Sequence, residues 1–331
     1  MCYTKCAMTK DLELLTRIAS LYYEHEVNQN EIAEITQIER SRVSRLLLKA
    51  RKEGLVQFHV VDPFKSDNAL NDRLVQKFAL EQAIVFDTLP SLDHQLKKTI
   101  GLVASKYLNN ILKDGDVFGV SWGETIYHTI ENLNPEYFRN IVVVPTIGGS
   151  GLLSSAYQIN EIIRIAALKL GGLGKVIYAP AFMESKDAHD AILQTKDIKA
   201  IADLWNEVTV ALVGIGKSPF DYRNRPETGL QFGQFYLFAN EESELRQKGV
   251  AGDINARFFD STGSELDVSV HERIIGMPLS ELDNAPRVIA VAGGLSKVNA
   301  IHAALIGKHL NVLITDSITA NKLLDFDDFL D

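Results

Sequence analysis

Residues Asn28 to Leu48 read NQNEIAEITQIERSRVSRLLL, two short helical stretches with a tight turn between them. Asn28 is suited to cap the first helix, because its side-chain oxygen can accept from backbone N–H groups left unpaired at a helix start. Ile32 and Ala33 give that helix its inner face. Ala33 is small enough to let a second helix cross closely, and Ile38 fills the turn. Val43, Leu46 and Leu47 then recur at three- and four-residue spacing, which makes one apolar face on the second helix. Its other faces carry Arg40, Ser41, Arg42, Ser44, Arg45, Lys49, Arg51 and Lys52, with no acidic residue between Arg40 and Lys52. An apolar back and a basic, polar front are what a helix-turn-helix needs to seat a helix against base edges and phosphates. A basic run alone is usually a solvated surface helix; the complete pattern favours double-stranded DNA, with Arg40, Ser41, Arg42, Ser44, Arg45 and Lys49 as the contacting residues.

Working outward, Leu12, Leu15, Ile18, Ala19 and Tyr22 form an amphipathic helix that can pack behind the pair, and Gly54 is placed to stop the basic helix. Leu55 to Val60 alternates like a short strand. Together these predict a small winged module ending near Pro63, a DNA-binding domain over 1–63 and a second domain over 64–331. With 331 residues, the remainder of about 260 can bury a large core. The net charge of −9 does not exclude DNA, since the basic charge is concentrated at Arg40–Lys52 and an acidic body limits nonspecific sticking. No apolar run reaches the roughly 18 residues of a membrane span and no signal-peptide core opens the chain, so a cytoplasmic protein with no membrane partner is expected. Cys2 and Cys6 lack partners at metal-ligand or disulfide spacing and are read as incidental; no metal and no cofactor are expected.

Beyond Pro63, short Val/Ile-rich strands alternate with helices: strands at 83–86, 116–121, 141–144, 176–178, 208–213, 287–292 and 311–315, and helices at 94–112, 124–133, 157–170 and 297–306. A connecting helix is expected over 70–80. This pattern predicts an α/β domain around a mostly parallel sheet covered on both faces. Glycines cluster after four strands: Gly119 and Gly123, Gly148 to Gly151, Gly214 and Gly216, and Gly293–Gly294. Such loops at strand ends suit a phosphorylated small ligand, and Lys297 follows the last pair, where its ammonium could reach the same phosphate. Gly119-Val-Ser-Trp-Gly123 also fits the G-x-S-x-G of a hydrolase elbow. That alternative needs an acid and a histidine downstream, for which Asp267 or Asp283 and His302 are formal candidates; His302 lies within an expected helix rather than on a loop. No catalytic residue is assigned.

The combined pattern resembles the SorC/DeoR-type sugar-binding transcriptional regulators over nearly the whole chain. The resemblance rests on LYY at Leu21–Tyr23, EIAE and SRVSRLL in the helix-turn-helix, DGDVFGVSWG at Asp114–Gly123, GVAGDINARFFD at Gly249–Asp260, VAGGLSKVNAIHAAL at Val291–Leu305 and LITD at Leu313–Asp316. It implies a winged helix-turn-helix joined to a Rossmann-like, sugar-isomerase-like domain that forms a homodimer or homotetramer. The effector it implies is a sugar or sugar phosphate, bound by Ser121, Gly123, Thr125, Gly148, Gly149, Gln158, Asp253, Gly293, Gly294 and Lys297. Asp253 would accept from sugar hydroxyls, and Lys297 would face the phosphate. Three departures stand out. Ile147 occupies a position where some relatives carry Lys or Arg, and Glu39 and Thr36 replace the family's usual Ser and Leu. The expectation is a regulator of a carbohydrate catabolic operon, a repressor released by a sugar phosphate. The alternative is a phosphosugar isomerase or serine hydrolase with a fused regulatory module.

Overall fold

The computed structural model describes residues 3–56, 67–88, 93–151, 155–220 and 236–326. The chain divides into two compact units, Met1–Val60 and Val61–Asp331.

The first unit holds α1 (Tyr3–Tyr23), α2 (Gln29–Thr36) and α3 (Arg40–Lys52). Asn28 caps α2 as expected, its Oδ1 accepting from Asn30 N (3.0 Å) and Glu31 N (3.1 Å). The helix ends on Gln37 in the left-handed region, φ 54°, where Ile38 N donates back to Ala33 O. Glu39 opens α3 without any side-chain cap hydrogen bond. At its other end Gly54, at φ +75°, turns the chain so that Leu55 N reaches Ala50 O and Gly54 N reaches Arg51 O. This is the paired reverse bonding of a Schellman motif, which glycine adopts without a Cβ clash. Ile18, Ile32, Val43 and Leu47 pack as one cluster with Ala33, Ile38 and Leu46 at its rim. Ala50 adds a second contact with Leu15 and Ala19. The strand expected over 55–60 runs into residues 57–66, outside the described residues, and so does Pro63.

In the second unit α4 (Asn68–Phe78) leads into β1 (Gln82–Phe86), α5 (Asp93–Ile111), β2 (Val117–Val120), α6 (Glu124–Glu131), β3 (Val142–Pro145), α7 (Ile159–Leu170) and β4 (Leu173–Gly174). Then come α8 (Lys186–Leu193), α9 (Lys196–Trp205), β5 (Val210–Val213), β6 (Gly216–Lys217), α10 (Ala239–Gln247), β7 (Gly252–Ile254) and β8 (Arg257–Phe259). The described residues close with α11 (Leu279–Leu282), β9 (Arg287–Val291), α12 (Val298–Ile306), β10 (Val312–Asp316) and α13 (Ser317–Leu324). Seven strands form one sheet in the order β1-β10-β9-β5-β2-β3-β4, and each pairing is parallel. Every residue of β5 and β10 is buried, as β-branched and aliphatic runs require in a sheet covered on both faces. From β2 the chain winds outward through β3 and β4, then returns to place β5 on the other side of β2. The crevice beyond the ends of β2 and β5 is thus a topological switch point, where open α/β sheets bind ligands.

Two features differ from the sequence reading. The strand expected at Val176–Tyr178 is absent; the edge strand is Leu173–Gly174. Asn160 explains the shift: its side chain donates to Ile177 O and accepts from Ile177 N, both at 2.9 Å, so this backbone is satisfied without a neighbouring strand. The second feature is a small antiparallel sheet, β6-β7-β8. Its β7–β8 hairpin turns through Asn255 (φ 54°) and Ala256 (φ 60°), between the paired residues Ile254 and Arg257. Two successive left-handed residues are the signature of a type I′ turn.

Candidate functional site

Five stretches meet at the carboxyl ends of the central strands: the loop after β2, β6, the β7–β8 hairpin, the Gly293–Gly294 loop after β9, and the start of α6. Ser121 is buried, with its N–H on Leu212 O at 3.0 Å, which ties the β2 loop to β5. Trp122 packs against both the main core and a second apolar cluster. Gly123 has φ 120°, a conformation closed to other residues, and heads α6 with no side-chain cap. The first N–H groups of α6 and its positive end therefore face outward beside half-buried Thr125.

Asp253 lies directly over Gly216: a Cβ there would overlap its Oδ1. Its Oδ2 accepts from Ala256 N at 3.1 Å and braces the left-handed hairpin. Burial raises the Asp253 carboxyl to about 6, against a hydrogen bond from Ala256 and the nearby Lys297 charge, both of which lower it. Lys297 ends a 3₁₀ turn, Leu295–Lys297, and donates to Ile215 O at 2.7 Å, which brings the ammonium to the β5–β6 connection. Burial, reinforced by the positive charge of Lys97, lowers Lys297 to about 8. The Gly293–Gly294 loop is built for close approach. A Cβ on Gly293 would overlap Asp316 Oδ2, and Gly294 N donates to Asp316 Oδ2 (3.0 Å) and Thr319 Oγ1 (2.7 Å).

The β3 loop departs from the expected anion cradle. Gly148 N and Gly149 N are bonded to Ile275 O and Ala179 O, each at 2.8 Å, so neither N–H is offered to a ligand. Glycine is required at 148 because a Cβ would come within 2.7 Å of Ala181 N and Pro180 C. Ile147 is fully buried in the second apolar cluster. Gln158, preceding α7, donates from Nε2 to Ser150 O, which fixes the far side of the same loop.

Several residues at the site carry no signal in the sequence. Lys97 on α5 bridges Asp93 (2.6 Å) and Glu124 (2.8 Å). Burial alone would lower its ammonium, but the hydrogen bonds it donates to Asp93 and Glu124 hold it above the ordinary lysine range. Tyr236 OH shares a 2.8 Å hydrogen bond with Ser150 Oγ, and its ring stacks on Phe182 at 4.9 Å. Beneath it, buried Arg273 makes a two-pronged pair with Glu241, both contacts at 2.6 Å, and donates to Met183 O at 2.7 Å. Such a pair fixes the relative positions of segments distant in the chain, with geometry rather than net energy as its main product.

Two of the formal partners of the hydrolase alternative, Asp283 and His302, are engaged elsewhere. Asp283 pairs with His309 Nδ1 at 3.0 Å, while His302 stacks on Phe326 and meets Phe78 edge-on. A surface cavity lined by Thr262, Glu265, Ser280, Asp283 and His309 lies by the starts of β9 and β10, away from the switch point. In the first unit Arg40, Ser41, Arg42, Arg45 and Lys49 are exposed and Ser44 is half-buried. Arg45 Nε donates to Ser41 O at 3.3 Å and Lys49 pairs loosely with Glu53 at 3.6 Å, both weak surface contacts. Among the described residues no helix is long and apolar enough to cross a membrane, and no group of three or more His, Cys, Asp or Glu side chains could hold a metal ion.

The sugar-binding domain family matches residues 62–325. The chain belongs to this family. The sorbitol operon regulator of Klebsiella pneumoniae is 32% identical over 316 residues, covering 95% of this chain and 98% of that protein. The deoxyribonucleoside regulator of Bacillus subtilis is 33% identical over 317 residues, covering 95% and 97% respectively. The crystal structure of full-length SorC from Klebsiella pneumoniae superposes with a TM-score of 0.73 at 31% identity, over 95% of this chain and 99% of that one. The protein is a transcriptional regulator of the SorC/DeoR carbohydrate-operon type and not an enzyme, and its partners are DNA and a sugar effector.

Proposed function

We propose that this regulator is a repressor of a carbohydrate catabolic operon, released when a sugar phosphate binds at the β2–β5 switch point. The observation that carries this reading is the meeting of an uncapped helix start, the Asp253 carboxylate and the Lys297 ammonium at one crevice. Ser121, Gly123, Thr125 and the Gly293–Gly294 turn complete it, and Gln158 with Gly148 and Gly149 shape its far side. An ionised carboxylate accepts hydrogen bonds from sugar hydroxyls, whereas an ammonium and a helix N-terminus favour a phosphate. Ile147 offers no amine for an imine with an open-chain sugar, so covalent capture at that position is not expected.

The operator is read by Arg40, Ser41, Arg42, Ser44, Arg45 and Lys49 in the major groove, and a two-fold assembly matches a palindromic site. The β4 edge is where we place that assembly: Tyr137, Leu168, Leu173 and Tyr178 are 87%, 71%, 56% and 83% exposed, and exposed apolar side chains suit a subunit interface. A dimer or tetramer acting on DNA in the cytoplasm is therefore proposed. A thermal-shift screen of sugar phosphates against their free sugars, paired with a gel shift on the neighbouring promoter, tests the reading. The same phosphosugar should raise the melting temperature and release the DNA. Arg45→Ala should weaken operator binding by about 1–3 kcal/mol with effector affinity intact. Stabilisation by free sugars alone, or undiminished DNA binding by Arg45→Ala, would sink the effector and the helix assignments respectively.

A further inference from the structure

Lys97 is on a helix, remote in sequence from every glycine loop, yet α5 carries it to the effector crevice. Leu96 and Ile100, on the same helix, lie against the Gly293–Gly294 turn. A Cβ on Gly294 would sit 3.5 Å from Leu96 Cδ2, and one on Gly293 would sit 2.9 Å from Ile100 Cδ1. From there the Lys97 ammonium reaches Glu124 Oε2 at 2.8 Å, in the first turn of α6. Lys97 and Glu124 are each about a quarter exposed or less (22% and 23%), so the pair is neither a screened surface bridge nor sealed from a ligand. Lys297 is close enough for the Lys97 charge to act on it, and Lys217 and Tyr157 face the same cluster.

The charges explain why the pair is there. A phosphate brings up to two negative charges into a crevice where Asp253 already opposes Lys297. Glu124 stands at the helix start that would otherwise attract the anion. We infer that Lys97 is a specificity-determining residue for a phosphorylated effector: it exchanges Glu124 for the phosphate while Asp93 keeps hold of it. Glu124 is the resident carboxylate that the phosphate displaces. This rests on the sugar-phosphate reading above.

The two partners therefore have opposite effects, although losing either breaks the same bridge. The full-length protein is titrated with inorganic phosphate at pH 7.5 and constant ionic strength, with free glucose as the uncharged control, and fructose 6-phosphate is titrated alongside. Lys97→Gln should weaken phosphate binding about tenfold, the scale of one charge-assisted hydrogen bond. Glu124→Gln should tighten it severalfold, and Lys97→Arg should retain most of it. Thermal melts of each variant establish folding, and Glu124→Gln carries the test if Lys97→Gln does not fold. If both glutamine variants shift affinity in the same direction, or neither does, the bridge only ties α5 to α6 and the inference is overturned. The effector reading then stands. If wild-type protein binds neither inorganic phosphate nor fructose 6-phosphate under conditions where glucose binds, the phosphate reading itself fails, and this inference with it.

Discussion

Asp253 and Lys297 are held in half-buried positions where each ionises with difficulty, and in the proposed site both are charged when a sugar phosphate binds. Burial raises Asp253 to about 6, so its hydrogen-bond-accepting form is lost as the pH falls through that value. Lys297, lowered to about 8, loses its charge as the pH rises through that value. Effector affinity should therefore peak between about pH 6 and 8 and fall on both sides, read by calorimetric titration from pH 5 to 9. Phosphate itself protonates near pH ~6 and contributes to the acidic limb. Asp253→Asn should remove only the part that phosphate does not supply, and an unchanged limb would take Asp253 out of the site. In the sequence Lys297 is singled out by the glycine pair before it, and Asp253 by the family motif at Gly249–Asp260. Lys97 is not: nothing in the spacing of a helix ties residue 97 to residue 297, and only the parallel order of β10 and β9 next to α5 brings them together. The converse holds for Gly148 and Gly149. At Gly148 the glycine signal records close backbone packing, and both N–H groups are bonded to backbone carbonyls rather than forming an open anion cradle.

At the scale of elements, α2 and α3 matched the sequence closely, since the 3.6-residue apolar period and the Asn28 cap are both local signals. The β7–β8 hairpin was missed for an equally local reason. Its turn is Asn255–Ala256 rather than the Asn-Gly that announces a type I′ turn, and Ala256 is held there by Asp253. The edge strand was misplaced because an Asn side chain, not a strand, satisfies Ile177. On α3, Glu39 leaves the helix start uncapped, with Ser41 Oγ donating to it at a long 3.4 Å. Glu39→Ser should supply a cap contributing about 0.5–2 kcal/mol, partly offset by losing a carboxylate near the helix start that contributes about 0.3–1 kcal/mol. Removing a negative charge beside the DNA backbone should also raise affinity for any duplex severalfold. Fluorescence anisotropy on operator and scrambled duplexes checks this. A loss confined to the operator would instead mean that Glu39 reads a base, as a carboxylate accepting from a cytosine amino group would.

For the whole molecule, the sign of the net charge and the identity of the output point in opposite directions. The chain carries −9 overall, yet α3 has only basic ionisable side chains from Arg40 to Lys52. Attraction to DNA is thus local, and the acidic remainder makes binding depend on how the subunits present that helix. A sugar phosphate bound in the second unit can release the operator only if it favours one presentation over another. Its influence is limited to its difference in affinity for the two states. The usual coupling is about 1–3 kcal/mol, or roughly 5- to 150-fold. Linkage makes this reciprocal: saturating operator DNA must weaken the phosphosugar by the same factor by which the phosphosugar weakens the operator. Calorimetric titration of the effector with and without a saturating operator duplex measures one arm, and anisotropy of labelled operator with and without effector measures the other. Equal factors are expected, and ultracentrifugation of all four species should show the same subunit count if release is a change of geometry. If the factors agree but the complexes differ in mass, the effector acts by dissociating the assembly. The exposed β4 edge, with Tyr137 and Tyr178, would then be the first place to mutate.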